Sequence, residues 1–133
     1  TLLPYTTLFR SARGHGIEIL LVDSDGYTDD LAELMVEVGV NALYPFEVGA
    51  GCDVPGTRAR LPELGIIGGL DKQCMACGRE AMDRELEKAR AFIRLGRFIP
   101  GPDHFVLSNV TWPDYKYFME RLKEVVVNTS PTA

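Results

Sequence analysis

With 133 residues, 46% of them apolar and 25% charged, the chain suits one ordinary domain with a packed core and is too short for two. Its net charge of −5, with 14 Lys and Arg that nowhere form a run, excludes nucleic acid as a partner, because neutralising phosphates needs a basic patch. No stretch approaches the ~20 consecutive apolar residues of a membrane span, so no membrane partner is expected. Cys52, Cys74 and Cys77 are an odd count, which points to reduced thiols and a soluble, cytoplasmic protein rather than a disulfide framework.

In chain order, Thr1–Ser11 (TLLPYTTLFRS) shows no amphipathic period and resembles the conceptual translation of a common sequencing adapter. It reads as a non-native scar outside the fold, with the reading frame cut upstream. Ile17–Val22 is a β-branched apolar run, predicted as a strand buried on both faces in a parallel sheet. Thr28 then caps a helix whose Asp29 and Asp30 favour the positive end of its dipole. Leu31, Leu34, Met35 and Val38 form its stripe, and Gly39 closes it.

The second unit is a strand over Asn41–Phe46, a glycine-rich loop through Gly51 and a short helix near Gly56–Leu61, between Pro55 and Pro62. The third is a strand over Leu64–Ile67 and a long helix near Arg79–Leu95, striped by Met82, Leu86, Ala89 and Ile93 and ended by Gly96. Arg97–Pro100 is the fourth strand. Thr111 with Asp114 three residues on is a capping-box variant that starts the last helix, with Tyr115, Phe118, Met119, Leu122 and Val126 on one face. Residues 128–133 are polar and read as a frayed tail.

The four apolar runs end in LLVDSDG (20–26), LYPFEVGAG (43–51), IIGGLDK (66–72) and FIPGPDH (98–104). Polar residues at the carboxyl ends of parallel strands are how α/β enzymes build sites, because the sheet fixes the strand tip while the loop stays open. A shared pocket is therefore predicted from Asp23, Asp25, Glu47 and His104. Asp25 before Gly26 is by itself ordinary turn chemistry; its alignment with the other tips turns the reading toward a site. Asp103 and His104 have the alternative of a simply paired loop imidazole.

The Asp-x-Asp-Gly at 23–26 after an apolar strand resembles haloacid-dehalogenase phosphatases, which would make Asp23 a nucleophile and Asp25 an acid/base. The downstream acidic pair of that family is missing. Over Gly16–Val125 the segments LVDSDG, VNALYPFEVGAGCDV, IIGGLDK, FIPGPDH and DYKYFMERLKEV, in this order and spacing, resemble the uroporphyrinogen decarboxylase superfamily, which includes cobamide-dependent methyltransferases. The resemblance implies an α/β chain of the (β/α)8 TIM-barrel family. Residues 12–127 would be the carboxyl-terminal half: the last four βα units, strands parallel and helices outside.

On that resemblance Asp23, Asp25 and His104 take catalytic positions, and Glu47, Asp71, Lys72, Gly68 and Gly69 take substrate-binding ones. His104 stands where the decarboxylases carry a histidine between glycines, although PDHF lacks those glycines. Asp71 and Lys72 follow the strand where the decarboxylases have Gly-Asn-Leu-Asp-Pro, with Lys72 in place of the proline. Asp23 and Asp25 replace the His-x-Cys of the zinc methyltransferases, a harder donor set in which a metal, if bound, would be held by Asp23, Asp25 and His104.

The first implied function is decarboxylation of an acidic tetrapyrrole in porphyrin biosynthesis, with no cofactor. The alternative is methyl transfer to or from a corrinoid protein, using zinc or another divalent metal. An inactive half-barrel, able to pair as a homodimer through its open edges, and a phosphatase are the further alternatives. Cys74-x-x-Cys77 has no second pair and reads as helix spacing rather than a redox or metal motif. Gly68-Gly69 would either admit a phosphate to the backbone or merely clear a crowded barrel mouth. Trp112, Tyr115, Tyr117 and Phe118 read as core and rim, and His15 carries no role.

Overall fold

The computed structural model describes Pro4–Thr132. After helix α1 (Pro4–Gly14), strands β1 (Leu21–Asp23), β2 (Ala42–Phe46), β3 (Gly65–Leu70) and β4 (Phe98–Pro102) alternate with helices α2 (Asp29–Glu37), α3 (Val54–Arg60), α4 (Arg79–Arg94) and α5 (Trp112–Val127). The strands form one parallel sheet in the order β1-β2-β3-β4. Sequential parallel strands joined by right-handed crossovers put their helices on one face. The fold is α/β, a four-stranded parallel sheet flanked by helices, consistent with part of an α/β barrel.

Two cores lie on the helix side. Leu43, Phe46, Leu64 and Ile66 of the sheet region pack with Ala32, Val40, Cys52 and Val54, while Leu70, Cys74 and Met75 pack with Met82, Leu86, Ala89 and Ile93 of α4 and Phe118, Leu122 and Val125 of α5. The α4 stripe is as the sequence predicts. At the amino ends of β3 and β4 the buried Arg58 donates to the carbonyls of Leu61, Pro62, Leu64 and Arg97, tying the strand starts together.

Other expectations are corrected. The first strand is three residues, not Ile17–Val22, and it is not buried on both faces: Ile17, Ile19 and Leu21 are exposed, Ile19 by 73%. It is an edge strand with one neighbour, and among the described residues no helix covers the opposite sheet face, where Tyr44 and Ile99 also meet solvent. On α2, Leu31 and Leu34 point outward and Ala32 is fully buried. The reason lies in Asp29, whose buried carboxylate accepts from Thr57 Oγ1 (2.6 Å) and Asp53 N (3.0 Å) and so sets the helix rotation. On α5, Val125 is buried rather than Val126.

Residues 4–14 form a helix whose Phe9 packs against the first core and whose Arg13 donates to the carbonyls of Gly39 and Glu18. Thr1–Leu3 of the expected scar and Ala133 of the expected tail lie outside the described residues. Within the tail, Thr132 N donates to the Arg94 carbonyl at 2.9 Å.

Candidate functional site

Glu47 reaches the strand-tip face through an irregularity in β2. Pairing with β3 runs Leu43 to Ile66 and then Phe46 to Gly68, one residue more on β2 than on β3. Pro45 lies in the extra segment, where a missing N–H disturbs the ladder least. Leu43 and Phe46 therefore both face the helix core, which strict alternation would forbid, and Glu47 emerges at the tip. Its Oε1 accepts from Gly26 N at 2.6 Å, fastening the loop after β1 to the tip of β2.

Asp25 sits on that loop, and its Oδ1 lies 3.3 Å from His104 Nε2 on the loop after β4. Ligand atoms of Asp25, Glu47 and His104, one from each of three strand tips, all lie within 4.8 Å of one another. Asp23, Asp25, Tyr44, Pro45, His104 and Phe105 line a cleft of about 330 Å³ over this cluster. Phe105 packs edge-on against His104, ring centroids 4.2 Å apart, and leaves most of its own surface in solvent.

Lys72 continues the network inward. Its Nζ lies 3.8 Å from Glu47 Oε2 and 3.4 Å from Asp103 Oδ1, and Asp103 is fully buried. Asp103 also accepts from Gly49 N (2.8 Å) and Lys72 N (3.1 Å), so it binds the loops after β2 and β3 to the end of β4. A buried carboxylate is tolerated only with such donors.

The structure thus brings Asp25, Glu47 and His104 together, with Lys72 behind them and Asp23 in the cleft wall. Asp23 is not among the three clustered donors that the sequence reading would assign to a metal; Glu47 stands there instead. Ser24 N still bonds to the Tyr44 carbonyl, which keeps Asp23 in the β1 ladder, and the chain turns toward His104 only beyond it. Asp71 is turned away: its carboxylate accepts from Gln73 N, capping the short 3-10 turn at Lys72–Ala76. Gly68 and Gly69 lie inside β3, not in a loop, and both have positive φ. A Cβ would meet Phe46 N at 3.0 Å from Gly68 and the Phe98 ring at 2.9 Å from Gly69, so their missing side chains admit neighbouring protein atoms rather than a phosphate.

Asp103 is the residue the sequence reading passed over as a site member. No local signal marks it: Asp103 lies in the bend just beyond β4, and its donors come from the loops after β2 and β3. His104 pairs with Asp25 and not with Asp103. Cys74 is buried and its thiol is pushed up to about 12, by burial first and then by Glu85 and Asp71; among the described residues neither it nor exposed Cys77 joins a metal-ligand cluster.

No family model matches the chain, and no curated protein matches it. The site's chemistry therefore rests on its geometry. Two carboxylates and an imidazole are hard-to-borderline donors, suited to a divalent cation such as zinc or manganese. The apolar cavity of about 220 Å³ bordered by Val36, Val40, Leu61 and Leu64 lies at the other end of the sheet, away from this cluster.

Proposed function

We propose that Asp25, Glu47 and His104 bind a divalent cation. We further propose that the chain is the carboxyl-terminal half of a (β/α)8 barrel of the uroporphyrinogen decarboxylase superfamily, in its metal-using, methyl-transferring branch. The observation that carries the first part is the convergence of three donor atoms, from three strand tips, within 4.8 Å. The family assignment rests on the five ordered sequence segments and is supported by the parallel sheet with its polar groups at the strand tips.

When bound, the cation would supply Lewis-acid polarisation of the group that gives or accepts the methyl. The protein's own residues do the rest. Gly26 N and Lys72 hold Glu47 in place, Asp25 and His104 face each other across the cleft, and Tyr44 and Phe105 border the open side. A corrinoid protein is the proposed partner and a small methyl donor the proposed substrate.

Charge favours this reading over cofactor-free decarboxylation of an acidic tetrapyrrole. Among the described residues, the only basic side chains paired with the carboxylates of Asp23, Asp25, Glu47 and Asp103 are Lys72 and the imidazole of His104. Such a wall repels the acetate groups of that substrate and attracts cations. Calorimetric titration of the chain with Zn²⁺ or Mn²⁺ tests it. One site is expected, weakened at least about tenfold by His104→Ala or Asp25→Asn. Binding that is absent, or indifferent to both substitutions, refutes the site.

A further inference from the structure

Lys72 is odd company for a cation site. Its ammonium is largely buried and lies beside Glu47, one of the proposed ligands, with Asp103 on its other side. Asp103 does not hold Lys72 alone, since two backbone N–H groups also donate to it. The ammonium is thus fixed at the rear of the cluster, its position set by the ends of β3 and β4.

Both oxygens of Glu47 are thereby engaged, Oε1 by Gly26 N and Oε2 by Lys72. A carboxylate so fixed can turn only one oxygen toward an incoming ion, and the neighbouring positive charge repels that ion. The two effects do not fall equally on all cations. Calcium gains from bidentate carboxylates and many oxygen ligands, whereas manganese and zinc are satisfied by fewer donors and gain more from the imidazole.

We infer that Lys72 is a specificity-determining residue of the cation site: acting through Glu47, it restricts that carboxylate to one-oxygen contact and sets the preference for small transition-metal ions over calcium. The inference rests on the cation reading above. Lys72 is a positioning residue here, with no contact to the reacting groups assigned to it, and Asp103 positions it in turn.

The test is calorimetric titration of the full chain with Mn²⁺ and, separately, Ca²⁺, comparing wild type with Lys72→Met, Lys72→Arg and the double variant Lys72→Met/Asp103→Asn. Lys72→Met is expected to tighten Ca²⁺ binding about tenfold or more and Mn²⁺ binding by less, narrowing the ratio. Lys72→Arg keeps the charge and is expected to leave the ratio within about threefold. Because Lys72→Met leaves a buried carboxylate short of a donor, the double variant, neutral at both positions, decides the matter if the single one does not fold. A purely structural lysine would weaken both ions alike. A ratio unmoved in both Met variants, or a parallel loss for both ions, overturns the inference while leaving the cation site standing. A wild-type chain that binds neither ion refutes the cation site and this inference with it.

Discussion

Asp29 offers the sharpest test of how the fold serves the site. Its carboxylate is buried, with Thr57 Oγ1 at 2.6 Å and Asp53 N at 3.0 Å, so one side chain joins the start of α2 to the start of α3. Asp29→Ala removes both bonds and leaves the Thr57 hydroxyl without a partner in a fully buried position. A hydrogen bond to a charged group contributes about 1.5–3 kcal/mol, so the expected cost is about 3–5 kcal/mol. For a chain of this size that lowers Tm by roughly 10–20 °C. Urea denaturation of Asp29→Ala, Thr57→Val and the double variant forms a cycle, in which a coupling of about 1–2 kcal/mol is expected. Asp29→Asn, which keeps one acceptor, should cost about half as much. Because Asp29 also anchors the end of the loop that carries Asp25, cation affinity should fall in the same variant. A cost below about 1 kcal/mol with no coupling would refute the role given to this carboxylate.

Two further outcomes are expected. In the folded chain at pH 8 a thiol reagent should label Cys77 rapidly and Cys74 hardly at all, since burial holds the Cys74 thiol protonated up to about 12. The unfolded thiol ionises near 8.5, so the stability from the buried neutral form is complete below that pH and drains away as pH rises toward 12. Equal labelling of the two, followed by mass spectrometry of tryptic peptides, would contradict this. Gly69→Ala should cost about 2–4 kcal/mol in chemical denaturation, because the residue has φ +73° and its new methyl group would lie 2.9 Å from the Phe98 ring. A cost under about 1 kcal/mol would mean that the ring moves aside freely.

The order of strands and helices was legible because hydrophobic period and capping chemistry are local properties. The α4 stripe and the Thr111 cap, whose hydroxyl accepts from Asp114 N, follow from residues a few positions apart. Tertiary choices were not legible. The rotation of α2 is set by Asp29 reaching a residue 28 positions on, which no helical period reports. β1 has a burial pattern that depends on which faces acquire a cover. At the site, the sequence pointed to Asp25, Glu47 and His104 as strand-tip residues. The resemblance put Asp23, in place of Glu47, at the metal because Asp23 and Asp25 stand where the zinc methyltransferases have His-x-Cys, while the extra residue in β2 that delivers Glu47 has no local signal beyond Pro45. The burial of Asp103 was hidden for the same reason, since its donors come from two other loops.

The uncovered sheet face has a thermodynamic consequence. Ile19, Leu21, Tyr44 and Ile99 are already wet in the folded chain, so melting it transfers less new apolar surface to water than melting a sheet covered on both sides. The heat-capacity increment should accordingly fall below the ~12–15 cal/mol/K per residue usual for globular domains. A smaller increment flattens the stability curve, moving cold unfolding further from heat unfolding and making the chain's stability less sensitive to temperature than its size alone would imply.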